Sequence, residues 1–312
     1  MQKYNDAKAR NQVIQGFSSK HVSKKMQKRI CACGKWLEFI ADWPEEKRKL
    51  MASNFCKWRF CPMCAWRKSR KDAQRISVMM SYIADVHRKS FIMVTLTAPN
   101  VTADKLPEEI TRYNKSFFNF VRREEIASMN YGYIRKLEIT YNRQRNDYHP
   151  HFHVVFAVNR GYFSGGRYLK QETLLNLWRE CMGDDSITQV DVRKVKQSSD
   201  SDNMAGNFEV AEFAKYAAKD EDFTHSAEVF EAFYKALKGR QQLTFGGLFA
   251  SANKKYKADE LSEYIKPDNT VYYWQLMYSW KGKQYEESRR RVLNAMDKRY
   301  LAEKGINTED VD

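Results

Sequence analysis

The stretch His149-Pro150-His151-Phe152-His153-Val154-Val155-Phe156 sets imidazoles at a spacing of two beside apolar residues. On a β-strand, side chains alternate between faces. His151 and His153 then share one face, and Phe152, Val154 and Phe156 share the other. Two adjacent imidazoles suit a metal site; the plainer reading is a pair of histidines on a solvated strand. Ile134 to Tyr141 is a second strand pattern, with Leu137 and Ile139 on one face and Lys136, Glu138 and Thr140 on the other. The polar run Asn142 to Asp147 between them reads as a turn. A hairpin closed about the middle of that run sets Ile139 against Phe152 and Leu137 against Val154. Glu138 then falls opposite His153 and Thr140 opposite His151, with cross-strand Cβ atoms within about 5.5 Å. Two histidines and a carboxylate with open positions hold a divalent ion that still accepts a phosphate oxygen. His149 has the same parity, but Pro150 is expected to interrupt pairing, so His149 reads as a supporting group or a DNA contact.

A second constellation lies on the helical pattern Phe208 to Asp220. Glu212 and Tyr216 are four apart and share a face, with Glu209 and Lys219 on the same side. A phenol of pKa about 10 needs help to attack a phosphodiester. A metal on the phosphate and the Lys219 ammonium supply it, and Glu212 can activate a water for a second cleavage. A tyrosine on an amphipathic helix is ordinarily only a core or surface residue. The chemistry therefore requires this helix to lie across the face that carries Glu138, His151 and His153.

The third group is cysteine-rich. Cys61-Pro62-Met63-Cys64 is a knuckle, and Cys56 lies five residues before it. Either Cys33 or Cys31 completes a four-thiolate zinc site. A closed site of this kind is structural, because no position is left for substrate. A thioredoxin-like redox pair is the rival, and the extra cysteines argue against it. Cys181 stands alone in an apolar helical pattern and reads as a core residue.

The elements that must position these groups follow from periodicity. Trp66 to His87 reads as a helix with the stripe Ile76, Met79, Met80, Ile83 and Val86. Phe91 to Thr97 is a strand, and Pro107 to Glu124 a helix with proline in its first turn. After the hairpin come a helix through Leu174, Leu177, Trp178 and Cys181, a strand Ile187 to Val195, and the Phe208 to Asp220 helix. This β-α-β-β-α-β-α order predicts an α+β fold, an antiparallel sheet with helices packed on one face. Residues 224–312 read as an appended α/β region. It has a helix through Val229 to Leu237, two strands pairing across Lys281-Gly282, and a charged, frayed tail.

The chain has 312 residues and a net charge of +15, and residues 1–75 hold 19 Lys and Arg against 6 Asp and Glu. A positive field beside a cysteine cluster points to nucleic acid. Residues 1–30 are too poor in apolar side chains for a core of their own, and read as helical turns or an arm, lying on DNA or on the next module. Arg67, Lys68, Arg70, Lys71 and Arg75 follow the knuckle and are candidate phosphate contacts; a solvated helix face is the alternative. No apolar run approaches a membrane span of about 20 residues, and the N-terminus has no signal-peptide pattern. A cytoplasmic protein is expected, with no membrane partner.

Together these blocks resemble the HUH endonucleases, in particular the replication initiators of rolling-circle plasmids. Val94-Thr95-Leu96-Thr97 looks like the family's first-strand motif. His149 to Val154 looks like its metal motif, and Glu212 to Lys219 its nucleophile motif. The block Cys33, Cys56, Cys61 and Cys64 also fits this branch and leaves Cys31 spare. The resemblance implies an HUH/RRM-like core over 89–223, after a zinc- and DNA-binding module over 1–88 and before an extension over 224–312. It implies that Tyr216 attacks the origin phosphodiester to give a 5′-phosphotyrosine, while the freed 3′ hydroxyl primes synthesis. Glu212 is implied to direct water at termination, and Lys219 to steady the phosphate. The catalytic metal is implied to be Mg²⁺ or Mn²⁺. Plasmid origin DNA and a host helicase are the implied partners, and monomer and homodimer are both left open. A single-tyrosine transposase is the nearest rival, expected to be shorter and without the cysteine block. A non-enzymatic zinc-dependent DNA-binding regulator is the other, and it leaves Glu138, His151, His153, Glu212 and Tyr216 unused.

Overall fold

A computed structural model describes residues 1–165, 168–195 and 220–308. In chain order its elements begin α1 (Gln2–Ser18), α2 (Lys24–Ala32), β1 (Trp36–Ala41), β2 (Arg48–Ala52) and α3 (Pro62–Val86). Next come β3 (Lys89–Thr97), α4 (Leu106–Phe120), α5 (Glu124–Met129), β4 (Gly132–Asn142), β5 (Asp147–Asn159), α6 (Gln171–Met182) and β6 (Val190–Lys194). The remainder are α7 (Asp220–Phe223), α8 (Ala227–Leu237), β7 (Leu243–Gly247), α9 (Leu248–Lys257), β8 (Trp274–Trp280), β9 (Tyr285–Val292) and α10 (Ala295–Ala302). The class is α+β, as expected. Two compact units share the chain: Met1–Arg67 with Lys266–Asp312, and Lys68–Ile265. The expected division at 88 and 223 is not the one seen. Residues 224–312 do not form a separate region; α8, β7 and α9 belong to the second unit, and β8, β9 and α10 to the first.

The second unit is built on a five-stranded antiparallel sheet in the order β6-β3-β5-β4-β7. The four expected strands are present, and β7 adds a fifth against β4. Gly247 ends β7 with φ +55°, in the left-handed region where a side chain is strained. On one sheet face Phe152 meets the rings of Tyr113 and Phe117 at 5.3 and 5.6 Å. Trp178 of α6 packs edge-on against Tyr113 and Phe120 of α4. The polar tips of this apolar layer are satisfied at the strand ends. Tyr113 Oη donates to the Pro150 carbonyl at 2.7 Å, and Trp178 Nε1 donates to the Thr97 carbonyl at 2.8 Å. Two helices are thereby pinned where β3 and β5 carry their threonines and histidines.

Helices were expected on this face alone, but the opposite face is covered too. Met79, Met80 and Ile83 of α3 and Phe249 and Ala252 of α9 pack on Phe91, Met93, Ile134, Val155 and Ala157. That explains the unbroken apolar run from Val154 to Val158, which a strand covered on one face does not need. Only part of this second face is apolar. Along β5 it passes from Ala157 and Val155 to His153 and His151, and along β4 from Ile134 to Lys136 and Glu138.

The first unit has its own antiparallel sheet, β2-β1-β8-β9, which joins strands from the two ends of the chain. β8 and β9 pair across Lys281-Gly282 as expected, with Trp280 opposite Tyr285. Residues 1–30 form α1 and α2, and Ala7 and Ile30 join the cluster holding Cys33, Cys56 and Cys61. The tail is not frayed up to residue 302. Asn294 and Asp297 make a reciprocal capping box for α10, and Leu301 and Ile306 pack with Ile40, Tyr272 and Leu293.

Candidate metal centres

The hairpin β4–β5 closes through Asn142, which pairs with Asp147. The Asn142 side chain accepts from the amides of Gln144 and Arg145, each at 3.0 Å, and Asn146 takes φ +52°. Asparagine suits both positions, since it bonds its own backbone and tolerates the left-handed region. This loop sets the register at Leu137 opposite Phe152, Glu138 opposite His151, Thr140 opposite His149 and Lys136 opposite His153. The expected pairs, Glu138 with His153 and Thr140 with His151, are therefore displaced by two residues. Because the strand period is two, the displacement preserves the faces. Pro150 does not interrupt pairing either: it lies opposite Ile139 in the β4 ladder. The β3 ladder stops at Thr97 opposite His151, so the missing proline N–H leaves no β3 bond unmade.

Glu138, His151 and His153 converge, with one ligand atom from each within 4.8 Å of the others. His151 Nε2 lies 3.1 Å from His153 Nε2, and His153 Nε2 lies 3.3 Å from Glu138 Oε2. All three are buried, Glu138 at 5%, His151 at 8% and His153 at 7% exposure. Glu138 Oε2 has no aligned hydrogen-bond donor, an expensive state for a buried carboxylate oxygen. A cation among these atoms relieves it, so the residues fit a divalent metal. The ring contacts allow the tautomers this needs. His151 Nδ1 faces the His149 carbonyl at 3.3 Å, and His153 Nδ1 faces Thr95 Oγ1 at 3.3 Å. With each Nδ1–H donating outward, both Nε2 lone pairs point at the centre. Burial, followed by His153, pushes His151 down to about 4, so it is neutral at pH 7. Burial pushes the Glu138 carboxyl up, but His153 and the Lys136 charge together hold it below its usual range. His149 is half-buried, its ring 5.3 Å from that of His151, and is not one of the converging ligands. Thr95→Val removes the acceptor that orients His153. It is expected to weaken Mn²⁺ binding about tenfold, read by calorimetric titration with the melting temperature as control.

In the first unit, Cys33, Cys56, Cys61 and Cys64 form a second convergent group. The Cys33–Cys64, Cys56–Cys64 and Cys33–Cys61 sulfurs are 3.5 to 3.6 Å apart, close to the roughly 3.8 Å edge of a tetrahedron with 2.3 Å metal–sulfur bonds. Each sulfur receives one N–H. The donors are Cys56 N to Cys33, Trp58 N to Cys56, Asn11 Nδ2 to Cys61 and Lys57 N to Cys64. Lys57 reaches this geometry at φ +62°. Bonds from neighbouring thiols hold Cys33 and Cys64 below the ordinary thiol range and push Cys56 and Cys61 above it. Lys8, only 2% exposed, donates to the Cys33 carbonyl. Burial lowers its pKa, while Cys33 and Cys61 raise it. Its positive charge suits a four-thiolate group bearing excess negative charge. Cys31 is not a member; Gln27 contacts its sulfur at 3.8 Å.

Comparison with known proteins now places the chain. The family model described as replication protein (Rep_1) matches residues 47–287. This chain belongs to that family. It is 48% identical to a protein rep of Staphylococcus aureus over 224 residues, covering 72% of this chain and 95% of the relative. It is 32% identical to a protein rep of Bacillus amyloliquefaciens, covering 74% of this chain and 73% of the relative. A protein rep of Streptococcus pneumoniae serotype 2 is 30% identical, over 79% of this chain and 80% of the relative. No solved structure matches. The resemblance to plasmid rolling-circle replication initiators thus holds at the level of family. The matched span includes Glu138, His151, His153, Cys56, Cys61 and Cys64, while Cys33 precedes it.

Glu212, Tyr216 and Lys219 lie outside the described residues. Of the basic residues after the knuckle, Lys68 and Arg75 both pair with Asp72, and the Arg67 guanidinium lies 3.7 Å from the Phe55 ring centroid. Arg70 and Lys71 are exposed. Sequence reasoning put Lys136 on the face of Glu138 but missed Thr95, Lys8 and Asn11 as neighbours of the two centres. Strand parity held a signal for Thr95. Lys8 and Asn11 reach the cysteines from a helix with no marker of that role.

Proposed function

We propose that this replication protein is a plasmid rolling-circle initiator of the HUH type that nicks one strand at the origin and transfers it to Tyr216. The reading is carried by the convergence of Glu138, His151 and His153 in a chain of the replication protein family. Mg²⁺ or Mn²⁺ bound there supplies Lewis-acid polarisation of a phosphate oxygen. The protein's own part is to hold two imidazoles and one carboxylate in place, with Thr95 and the His149 carbonyl fixing the rings. In the chemical step the Tyr216 oxygen bonds to phosphorus and the bond to the 3′ oxygen breaks. The phenol proton is lost, the 3′ oxygen is protonated, and a 5′-phosphotyrosine remains. Lys219 steadies the phosphate, and Glu212 activates the water that ends the cycle. Zn²⁺ held by Cys33, Cys56, Cys61 and Cys64 is structural. Origin DNA is the substrate, engaged also by Arg67, Lys68, Arg70, Lys71, Arg75 and His149. A host helicase follows, and the site of action is the cytoplasm. Among the described residues no helix is long and apolar enough to cross a membrane.

The test uses supercoiled plasmid carrying the protein's own origin and a labelled single-stranded oligonucleotide of the nick region. With Mn²⁺ the oligonucleotide should become covalently attached, and peptide mapping should find it on Tyr216. Tyr216→Phe should form no adduct, and chelator should prevent adduct formation by the parent protein. Attachment to another residue, or nicking by Tyr216→Phe at the parental rate, overturns the reading.

A further inference from the structure

Helix α2 carries its charges against its own stability. Lys24 and Lys25 stand in its first turn, which holds no acidic residue, although the positive end of a helix dipole favours acids. Lys24 with Lys28, and Lys25 with Arg29, are four apart, a spacing at which like charges repel. All four are exposed, and none of their side chains has a hydrogen-bond or ion-pair partner among the described residues. Between Asp6 and Glu38 the sequence has eight Lys and Arg and no Asp or Glu. The basic residues after the knuckle differ, since Lys68 and Arg75 share Asp72. The other side of α2 is fixed in place. Ile30 is fully buried, and Met26 packs on the cluster that holds Cys33, Cys56 and Cys61. Gln27 ties α2 to α1: its Nε2 donates to the Gln15 carbonyl at 2.7 Å, and its Oε1 accepts from Ser18 Oγ at 2.8 Å. Ser23 caps the start, accepting from the Met26 amide at 3.3 Å. A firmly seated helix that shows solvent a face of unpaired cations is complementary to a polyanion.

We propose that α2 docks on the phosphate backbone of double-stranded DNA through Lys24, Lys25, Lys28 and Arg29. This deepens the reading above and rests on origin DNA being the substrate. A duplex fits better than a single strand. The exposed residues of α2 and its cap are Ser23, Lys24, Lys25, Lys28 and Arg29, so the face offers unpaired bases no aromatic ring to stack on. A helix about 10–12 Å across enters a major groove roughly 12 Å wide, and its long cationic side chains reach the phosphates of both walls. Binding there also relieves the repulsion along α2. A face that serves only solubility predicts otherwise: its charges are then worth no more to DNA binding than any others on the same unit.

The experiment compares the full chain, prepared with Zn²⁺ and assayed without Mn²⁺, with Lys24→Gln/Lys28→Gln and Lys25→Gln/Arg29→Gln. Glutamine keeps the helix propensity and removes the charge. The charge-matched control is Lys281→Gln/Lys283→Gln, whose lysines are exposed at the β8–β9 turn of the same unit. Binding of a labelled origin duplex is followed by anisotropy across a salt series. For each α2 pair the slope of log K against log salt should fall by about 1.8, which is about 0.9 for each lost phosphate contact, and affinity should fall at least about tenfold. The control should keep the parental slope. On a single-stranded oligonucleotide of the nick region the α2 pairs should lose less than about threefold, because that ligand is held largely by stacking. A parental duplex slope in a folded α2 variant overturns the proposal. So does an equal loss in the control, or a loss as large on the single strand as on the duplex. Where a pair does not fold, Lys25→Gln alone decides, with an expected slope change of about 0.9. No nicking is needed in this assay. A parent that binds duplex but forms no adduct counts against the proposed function alone, while an unchanged slope counts against α2.

Discussion

Glu138→Ala is expected to lower nicking by at least about 10³-fold and to abolish measurable Mn²⁺ binding at micromolar protein. The carboxylate is the only anionic member of the three converging ligands. Two imidazoles alone, which carry no negative charge, offer a dication no charge compensation in a buried site. If the metal contributes several kcal/mol of transition-state stabilisation, losing about 4 kcal/mol corresponds to about 10³-fold in rate. Glu138→Gln should do nearly the same, because it keeps the volume and removes the charge. Stability provides the internal control. Glu138 Oε2 is buried without an aligned donor, so its removal should leave the melting temperature of the metal-free protein unchanged or raised. Mn²⁺ at a hundred times its dissociation constant should stabilise the parent by about 2.7 kcal/mol and the variant not at all. His151→Ala added to Glu138→Ala should cost little more, since ligands of one ion act as a unit. The pH dependence has a definite sign. His151 is depressed from an ordinary value near 6.5 to about 4, so it stays neutral and able to bind metal as pH falls from 7 to about 5. Protonation as pH passes through about 4 then removes His151 as a Mn²⁺ ligand. Over the same interval the unfolded chain takes up a proton that the folded chain refuses, so folding stability falls as pH drops from about 6.5 towards 4. A melting curve and a Mn²⁺ titration at several pH values check both. An intact Mn²⁺ isotherm in Glu138→Ala would remove this residue from the centre.

The convergence of Glu138, His151 and His153 was legible in the sequence because a strand fixes parity rigidly. A hairpin slip that moves the register by two leaves Glu138, His151 and His153 on one face. The register itself was not legible. It depends on how Asn142 and Asn146 fold the loop, and the polar composition from Asn142 to Asp147 admits more than one closure. Coverage of both sheet faces was encoded in Val154 to Val158 but competes with a simpler alternating reading. β1 and β2 went unseen for another reason. Arg48 to Ala52 is short and half-exposed, and β1 finds its second partner in β8, more than 230 residues away. No local pattern announces a pairing made by opposite ends of a chain. The segment with Glu212 and Tyr216, the most discriminating motif in the sequence, lies outside the described residues.

Cys61→Ser is expected to abolish the cooperative melting transition of the first unit while leaving that of the second. Cys61 is fully buried, bonded by Asn11 and in contact with the Cys33 sulfur. Around these sulfurs pack Leu37, Phe39, Met63, Tyr278 and Tyr285, so the thiolate group lies within the apolar core it helps to organise. That core is small and assembled from both ends of the chain. A closed four-thiolate zinc site contributes on the order of 10–16 kcal/mol of apparent binding free energy at neutral pH, comparable to or above the roughly 5–15 kcal/mol that holds an ordinary domain together. Losing one ligand therefore removes about as much free energy as the unit has. Cys31→Ser supplies the contrast. Its sulfur lies outside the four, so one zinc per chain and the full transition should persist. Differential scanning calorimetry with a chromophoric zinc-release assay reads both variants, and the Mn²⁺ isotherm of Cys61→Ser should match the parent because Glu138, His151 and His153 belong to the other unit. If Cys61→Ser keeps its zinc and both transitions, the four cysteines are not a structural metal site.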